Sequence, residues 1–563
     1  MVAVFSLLPV AAAQERVIHP ADYVPDDFAG FIQVRLDSPQ TTLRGLNIAA
    51  FAAVQVQPNR IGLGNAALTF DDFLPFNTWF DVDNISFTAN VLPWIKDEFV
   101  VAYRDFNNQL QADNANILLI LPTSSVLDSA AHLSAIIKQP DLLVLQPYRG
   151  IDVYEGKTAS IALTSPVVFI GPTDLVHAAL DVQAGVKKTI TANPVYGVLR
   201  AASDESPLVF GYVDGDHVAP AVSGLVGGDS DSQALFAALG GALSQVRGDN
   251  SFETLLFNGG FDGAAASLDT DVGLTEAVFT AKAVFHSVTT PDDSTPPEFD
   301  STLLDLIPHN ALLVQTGADA RGMIYDVVTA LPMTNFARQM VGGLPIQTLG
   351  TESKLITVPD AKQVQAAVNS YLNVLGQFSG FDLQKDLIDH LAGSYTVALL
   401  PRPNNPLPVL KVPFDLLITA RTSDDAALDG VSKLLQSLFK VKALPDATTN
   451  DWTFKQLGAD TEPLFSLGLK DGLLIVATGD AAGHALDAQG GDNRLIDEVP
   501  WQTLSKTARP DFYVDTAVFY NTFFPSPGGA VPTSDNHTQL ALHSAYQGSG
   551  IYELKFSALI PLA

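Results

Sequence analysis

The chain has 563 residues, 47% of them hydrophobic, more apolar material than one ordinary core holds, so more than one domain is expected. Against 31 Lys and Arg stand 61 Asp and Glu, a formal charge of −30. That balance excludes nucleic acid, whose binding rests on basic patches, and disfavours an anionic membrane surface. Cysteine is absent, which excludes disulfides, thiolate metal sites, a cysteine nucleophile and a lipidated N-terminal cysteine.

Residues 1–13 read as the remainder of a secretory signal. Val2 to Val10 is a short apolar run, and Ala11-Ala12-Ala13 before Gln14-Glu15 fits a cleavage site, although a basic start is missing. No later stretch reaches the roughly 18–20 uninterrupted apolar residues that crossing a bilayer by helix requires. The expected location is extracellular or periplasmic, with the protein soluble or attached non-covalently to a surface.

Residues 15–288 form the first predicted domain. It opens at Val24-Pro25, continues with a strand at Phe31 to Val34 and a helical stretch at Leu43 to Val54, and then a strand at Phe99 to Tyr103. Gly62-Leu-Gly64-Asn-Ala-Ala67 spells a dinucleotide pattern but follows a turn and not a strand, so the phosphate cradle is not set up. Asn116 to Leu121 is an apolar run ended by Thr123-Ser124, a buried strand with Ser124 placed to cap the next helix. That helix has its stripe at Val126, Ala130, Leu133 and Ile137.

Three short strands follow: Ile151 to Tyr154, Ser160 to Leu163 and Val167 to Ile170. Gly150 to Thr158 has one residue too many for a phosphate loop, and the residues between are strand formers. Helices are expected from Thr173 to Asp181, from Pro194 and from Ser232 to Gln245. A hairpin of Glu253 to Leu256 with Glu276 to Val284 closes the domain.

Residues 289–301, with Pro291-Asp-Asp-Ser-Thr-Pro-Pro297, read as a linker. Residues 302–563 then repeat the order. Phe414 to Ala420 with Thr422-Ser423 answers the Asn116 run, and Ser423 is again placed to cap. The stripe Ala427, Val431, Leu434, Leu438 matches the first stripe at one constant offset. Tyr395 to Leu399 answers Phe99 to Tyr103. Leu474 to Ala477 with Asp480 and Asp487 answers Val168 to Gly171 with Asp174 and Asp181. The expectation is an α+β chain of two homologous tandem domains. Each is a mostly antiparallel sheet with helices packed on one side, because short strands follow one another through tight turns.

The proline opening at Pro25 before a strand, the step Leu92-Pro93-Trp94-Ile-Lys-Asp97 and the repeated strand–helix units resemble a bacterial exported family known only as a domain of unknown function. The resemblance implies export and this order of elements; it supplies no activity and no site residues.

Converging catalytic groups are scarce. The ten histidines make no metal-ligand pair on one element, and no nucleophile elbow occurs. His177 and His484 stand one position apart in the matched helices. Asp81-Val-Asp83-Asn84, Asp214-Gly-Asp216, Asp229-Ser-Asp231 and Asp269-Thr-Asp271 are loop carboxylates of the kind calcium accepts, though none completes a full calcium loop. Asp229, Asp231, Asp214 and Asp216 are the metal candidates, with calcium as the ion. The leading expectation is a non-enzymatic binding or interaction protein for a small molecule, a lipid or an envelope protein. A self-associating surface-layer or matrix protein is the alternative, and a hydrolase using loop carboxylates a further one.

Overall fold

The computed structural model describes residues 19–36, 69–105, 116–138, 143–218, 260–287, 298–323, 382–402, 412–459, 462–523 and 538–561, without positions 75, 81–84, 274, 492 and 507, and with Thr42, Gly45 and Leu407 besides. Outside the described residues lie the signal stretch 1–13, the helical stretch 43–54 apart from Gly45, the stretch 232–245, Gly62 to Ala67, Asp81 to Asn84, Asp229 and Asp231, the strand 253–256 and most of the linker. The chain divides into two compact units: Met1–Arg44 with Ala66–His217, and Gly45–Asn65 with Val218–Ala563.

The first unit contains β1 (Gly30–Arg35), β2 (Glu98–Tyr103), β3 (Ile117–Pro122), β4 (Leu143–Tyr148), β5 (Ile151–Gly156), β6 (Ser160–Leu163), β7 (Val167–Gly171) and β8 (Val209–Asp214). Its main helices are α1 (Val126–His132), α2 (Ser134–Ile137), α3 (Thr173–Gln183) and α4 (Pro194–Ala202). The strands pair antiparallel in the order β8–β1–β2–β3–β7–β6–β5–β4. β3 and β7 are buried at every residue, so they lie in the middle of the sheet with both faces covered, which is why they read as unbroken apolar runs.

Two local expectations shift. Ser125, not Ser124, caps α1, accepting from the Asp128 N–H. The predicted helix breaks at Leu133 into α1 and α2, and its buried face is Ser129, Leu133 and Ile136, one residue round from the expected stripe. A 2.8 Å hydrogen bond between the hydroxyls of Thr123 and Ser129 holds that face inward, leaving Leu127 81% exposed.

The second unit contains β9 (Gly263–Val272), β10 (Glu276–His286), β11 (Leu313–Gly317), β12 (Leu391–Pro401), β13 (Phe414–Thr422), β14 (Lys442–Thr449), β15 (Trp452–Ala459), β16 (Glu462–Lys470), β17 (Leu473–Thr478), β18 (Phe512–Asp515), β19 (Gln539–Gly548) and β20 (Ile551–Pro561). Its main helices are α5 (Ala426–Phe439), α6 (Ala481–Gln489), α7 (Val499–Ser505) and α8 (Thr516–Phe523). The order is β14–β15–β16–β17–β13–β12–β11–β18–β19–β20–β10–β9, again antiparallel throughout. Its first eight positions, read from β18 back to β14, repeat the order of the first unit from β8 to β4, strand for strand. β10, expected to close the first domain in a hairpin with Glu253 to Leu256, forms its hairpin with β9, pairs on its other edge with β20 from Glu276↔Pro561 to His286↔Ile551, and is grouped with this second unit.

The expectation of helices on one side is corrected here. Along β17, Leu473, Ile475 and Ala477 join one apolar cluster with Ala481 and Ala485 of α6 and Trp501 and Leu504 of α7. The alternate residues, Leu474 and Val476, join another with Val431 of α5 and Leu387 and Ile388. Successive side chains of a strand point to opposite faces, so a strand apolar at every position presents two faces that both need a cover.

Candidate functional site

The helix α5 starts where Asp424 accepts the Ala426 N–H at 2.8 Å, and it ends at Lys440 in the left-handed conformation, φ 54°. Ala427 and Val431 press on the sheet. Towards its C-terminal end the contact opens. Leu435 and Phe439 of α5, Phe414, Leu416 and Ile418 on one face of β13, Phe465 of β16, Val476 of β17, and Leu407 and Val412 enclose a cavity of about 280 Å³. Thr478, the polar residue of the lining, has its hydroxyl engaged by the Leu416 N–H at 2.8 Å. Phe439, 38% exposed and 5.1 Å from the Phe465 ring, stands beside Leu438, 45% exposed. With its lining polar group already satisfied, such a space offers nothing to a water and much to a hydrocarbon.

The other face of the same sheet holds a second cavity, also of about 280 Å³, at the start of α6. Ala447 and Thr449 of β14, Phe454 and Gln456 of β15, Ser466 of β16, and Gly479, Asp480, Gly483, His484 and Asp487 line it. Gln456 and Ser466 are buried and joined by a 3.1 Å hydrogen bond from the serine hydroxyl to the amide oxygen. Beneath Gly479 lies the buried carboxylate of Asp415, which accepts from Arg402 and from the Asp480 N–H. Burial pushes the Asp415 carboxyl up from its ordinary range, against the downward pull of the Arg402 guanidinium.

The predicted calcium residues fare differently from one another. Asp229 and Asp231 are outside the described residues. Asp214, at the end of β8, accepts from the Asn193 amide at 2.9 Å and the Tyr212 hydroxyl at 3.2 Å, so it fastens the cap of α4. Asp216 is exposed two residues on. Among the described residues no group of three or more His, Asp or Glu is placed to hold a metal ion. Of the matched histidines, His177 stacks on Tyr148 and His484 lines the polar cavity. Sequence reasoning found neither cavity. The apolar lining alternates along β13, a strand pattern that looks the same whether the facing space is filled or open.

Solved structures of TP0453 are similar to part of the chain. Crystal form I is 10% identical, covering 49% of this chain and 81% of that one at a TM-score of 0.25, and crystal form III is 10% identical over 48% and 81% at 0.25. No curated protein matches. Residues 76–542 match the family described as "Protein of unknown function (DUF3352)", and the chain belongs to that family.

Proposed function

We propose that the protein is an exported, non-enzymatic binding protein whose second unit takes an apolar small molecule or lipid chain between α5 and the sheet. The observation that carries this reading is the cavity lined by Leu407, Phe414, Leu416, Ile418, Leu435, Phe439, Phe465 and Val476. Burying an apolar ligand there is favoured by about 25 cal/mol for each Å² removed from water. Export is supported by the apolar start and small-residue site at Val2 to Ala13. Among the described residues no helix is long and apolar enough to cross a membrane.

The proposal includes an origin by tandem duplication, with domains near 15–288 and 302–563. The repeated pairing order supports it, as does the match between β3 with its flanking strands and β13 with its own. The test is titration of the full chain with a fluorescent polyene fatty acid. Saturable binding is expected, and Leu416→Trp, which fills the cavity, is expected to abolish it while the unfolding midpoint holds. Absence of saturation, or equal binding by the Trp variant, would overturn the reading.

A further inference from the structure

The two units can be matched residue by residue from their strand registers. Ser160 faces Gly171 as Ser466 faces Ala477, and Val153 faces Ala162 as Phe454 faces Gly468. Tyr148 faces Ile151 as Thr449 faces Trp452, across two-residue turns whose residues all have positive φ: Arg149-Gly150 and Asn450-Asp451. The helices agree independently, since buried Leu175, Val176, Ala179 and Leu180 of α3 match buried Ala481, Ala482, Ala485 and Leu486 of α6. Thr449 therefore stands where the first unit has Tyr148, Gly483 where it has His177, Gln456 where it has Glu155, and Asp487 where it has Asp181.

In the first unit that place is full. The Tyr148 ring lies flat on His177, centroids 3.8 Å apart and planes 5° apart. Its hydroxyl donates to Asp181 at 2.9 Å, and the Arg149 guanidinium pairs with the same carboxylate. His177 Nε2 is 3.1 Å from Glu155. In the second unit the ring pair has become Thr449 and Gly483, the guanidinium has become Asn450, and the polar cavity occupies the space. A side chain built on Gly483 would meet open space.

What remains is a set of groups without counterparts. Asp487 keeps the acceptor position, and Asp480 starts α6 without a side-chain capping bond. Among the described residues neither carboxylate has a partner, and no Lys or Arg lines the cavity. Gln456 is 9% exposed and bonded through its oxygen to Ser466, and its amide nitrogen has no partner among the described residues. Phe454 supplies an aromatic wall, backed by the Trp452 ring stacked 5.9 Å behind it.

We propose that this cavity binds a small aromatic cation, a single hydroxylated ring carrying an ammonium group. The ring replaces the Tyr148–His177 stack, the ammonium replaces the Arg149 charge on the matching aspartate, and the Gln456 amide meets the ligand's oxygen. The site is separate from the apolar cavity, on the opposite face of the sheet.

Calorimetric titration of the full chain with tyramine tests it, against tyrosol, which has the ring without the charge, and agmatine, which has the charge without the ring. Saturable tyramine binding is expected, with tyrosol and agmatine each weaker. Asp487→Asn should weaken tyramine by about fivefold, the scale of one exposed charge pair. The double change Thr449→Tyr with Gly483→His rebuilds the filling of the first unit and should abolish binding while the unfolding midpoint holds. Lack of saturation by tyramine, equal binding of agmatine or tyrosol, or indifference to Asp487→Asn would each overturn the proposal. Leu416→Trp, which closes the apolar cavity, should leave tyramine binding intact, so the two readings stand or fall apart from each other.

Discussion

Arg402 Nη1 lies 3.0 Å from Asp415 Oδ1, and the Asp415 side chain is only 5% exposed. The second carboxylate oxygen takes the same nitrogen at 3.3 Å and the Asp480 N–H at 3.3 Å. Removing the cation takes away the strongest opposition to burial of this carboxylate and leaves it the Asp480 N–H and the Thr478 hydroxyl. Arg402→Leu should therefore destabilise by about 3–5 kcal/mol in urea unfolding. Replacing both residues by Leu should restore much of that loss, because no orphaned charge remains. A loss well under about 1 kcal/mol for the single change would place the pair among surface-like bridges.

Gly479 and Gly430 are each required, for different reasons. Gly479 has φ +52°, and a Cβ there would collide with the Arg402 guanidinium and the Asp415 carboxylate. Gly430 is helical, and a Cβ there would strike the backbone oxygen of Asp386, against which α5 packs. Alanine at either position should lower stability by about 1–3 kcal/mol, the usual cost of overpacking. Thermal unfolding of the two variants reads this directly, with Gly483→Ala as the neutral comparison.

His390 Nδ1 lies 2.8 Å from Asp424. That hydrogen bond raises the His390 pKa above 6.5, and it lowers that of Asp424. A raised histidine contributes stability that is fully present below its unfolded value and is lost as pH rises through the folded one. An NMR titration should place the His390 midpoint above 6.5, and Asp424→Asn should bring it down. An unchanged midpoint in the variant would show that the contact does not form.

Asp511 behaves in the opposite sense. Burial pushes its carboxyl up, but His543, the Ser544 N–H at 2.7 Å and Arg509 at 2.8 Å together outweigh burial and hold it below the usual value of 3.8. A depressed carboxyl contributes stability above its unfolded value and loses it as pH falls through the folded one. The stability gap between the native chain and Asp511→Asn should be full near neutrality and shrink as pH drops below about 3.8. Acid titration of the unfolding midpoint measures it, and a gap independent of pH would contradict the assignment.

The central strands were legible because burial on both faces writes an unbroken apolar run, as in Ile117 to Leu121 and Leu473 to Ala477. The same feature carried the second layer of helices, yet a run apolar throughout does not say what covers each face. Caps slipped by a residue because Thr123, Ser124 and Ser125 are chemically similar, and only the Thr123–Ser129 contact selects among them. The polar cavity was present in the sequence as a difference, Tyr148 and His177 against Thr449 and Gly483. Seeing it required strand registers that fix which residue stands opposite which.

The pairing of Glu276 with Pro561 also sets a timetable. The β9–β10 hairpin emerges from synthesis well before β20, the strand that clasps β10. Until β20 arrives, β10 has a bare edge, a row of unpaired amides open to strands from other chains. A nascent or C-terminally clipped molecule is therefore expected to be sticky in a way the finished one is not. The eleven-residue β20 is thus expected to close that edge against other chains.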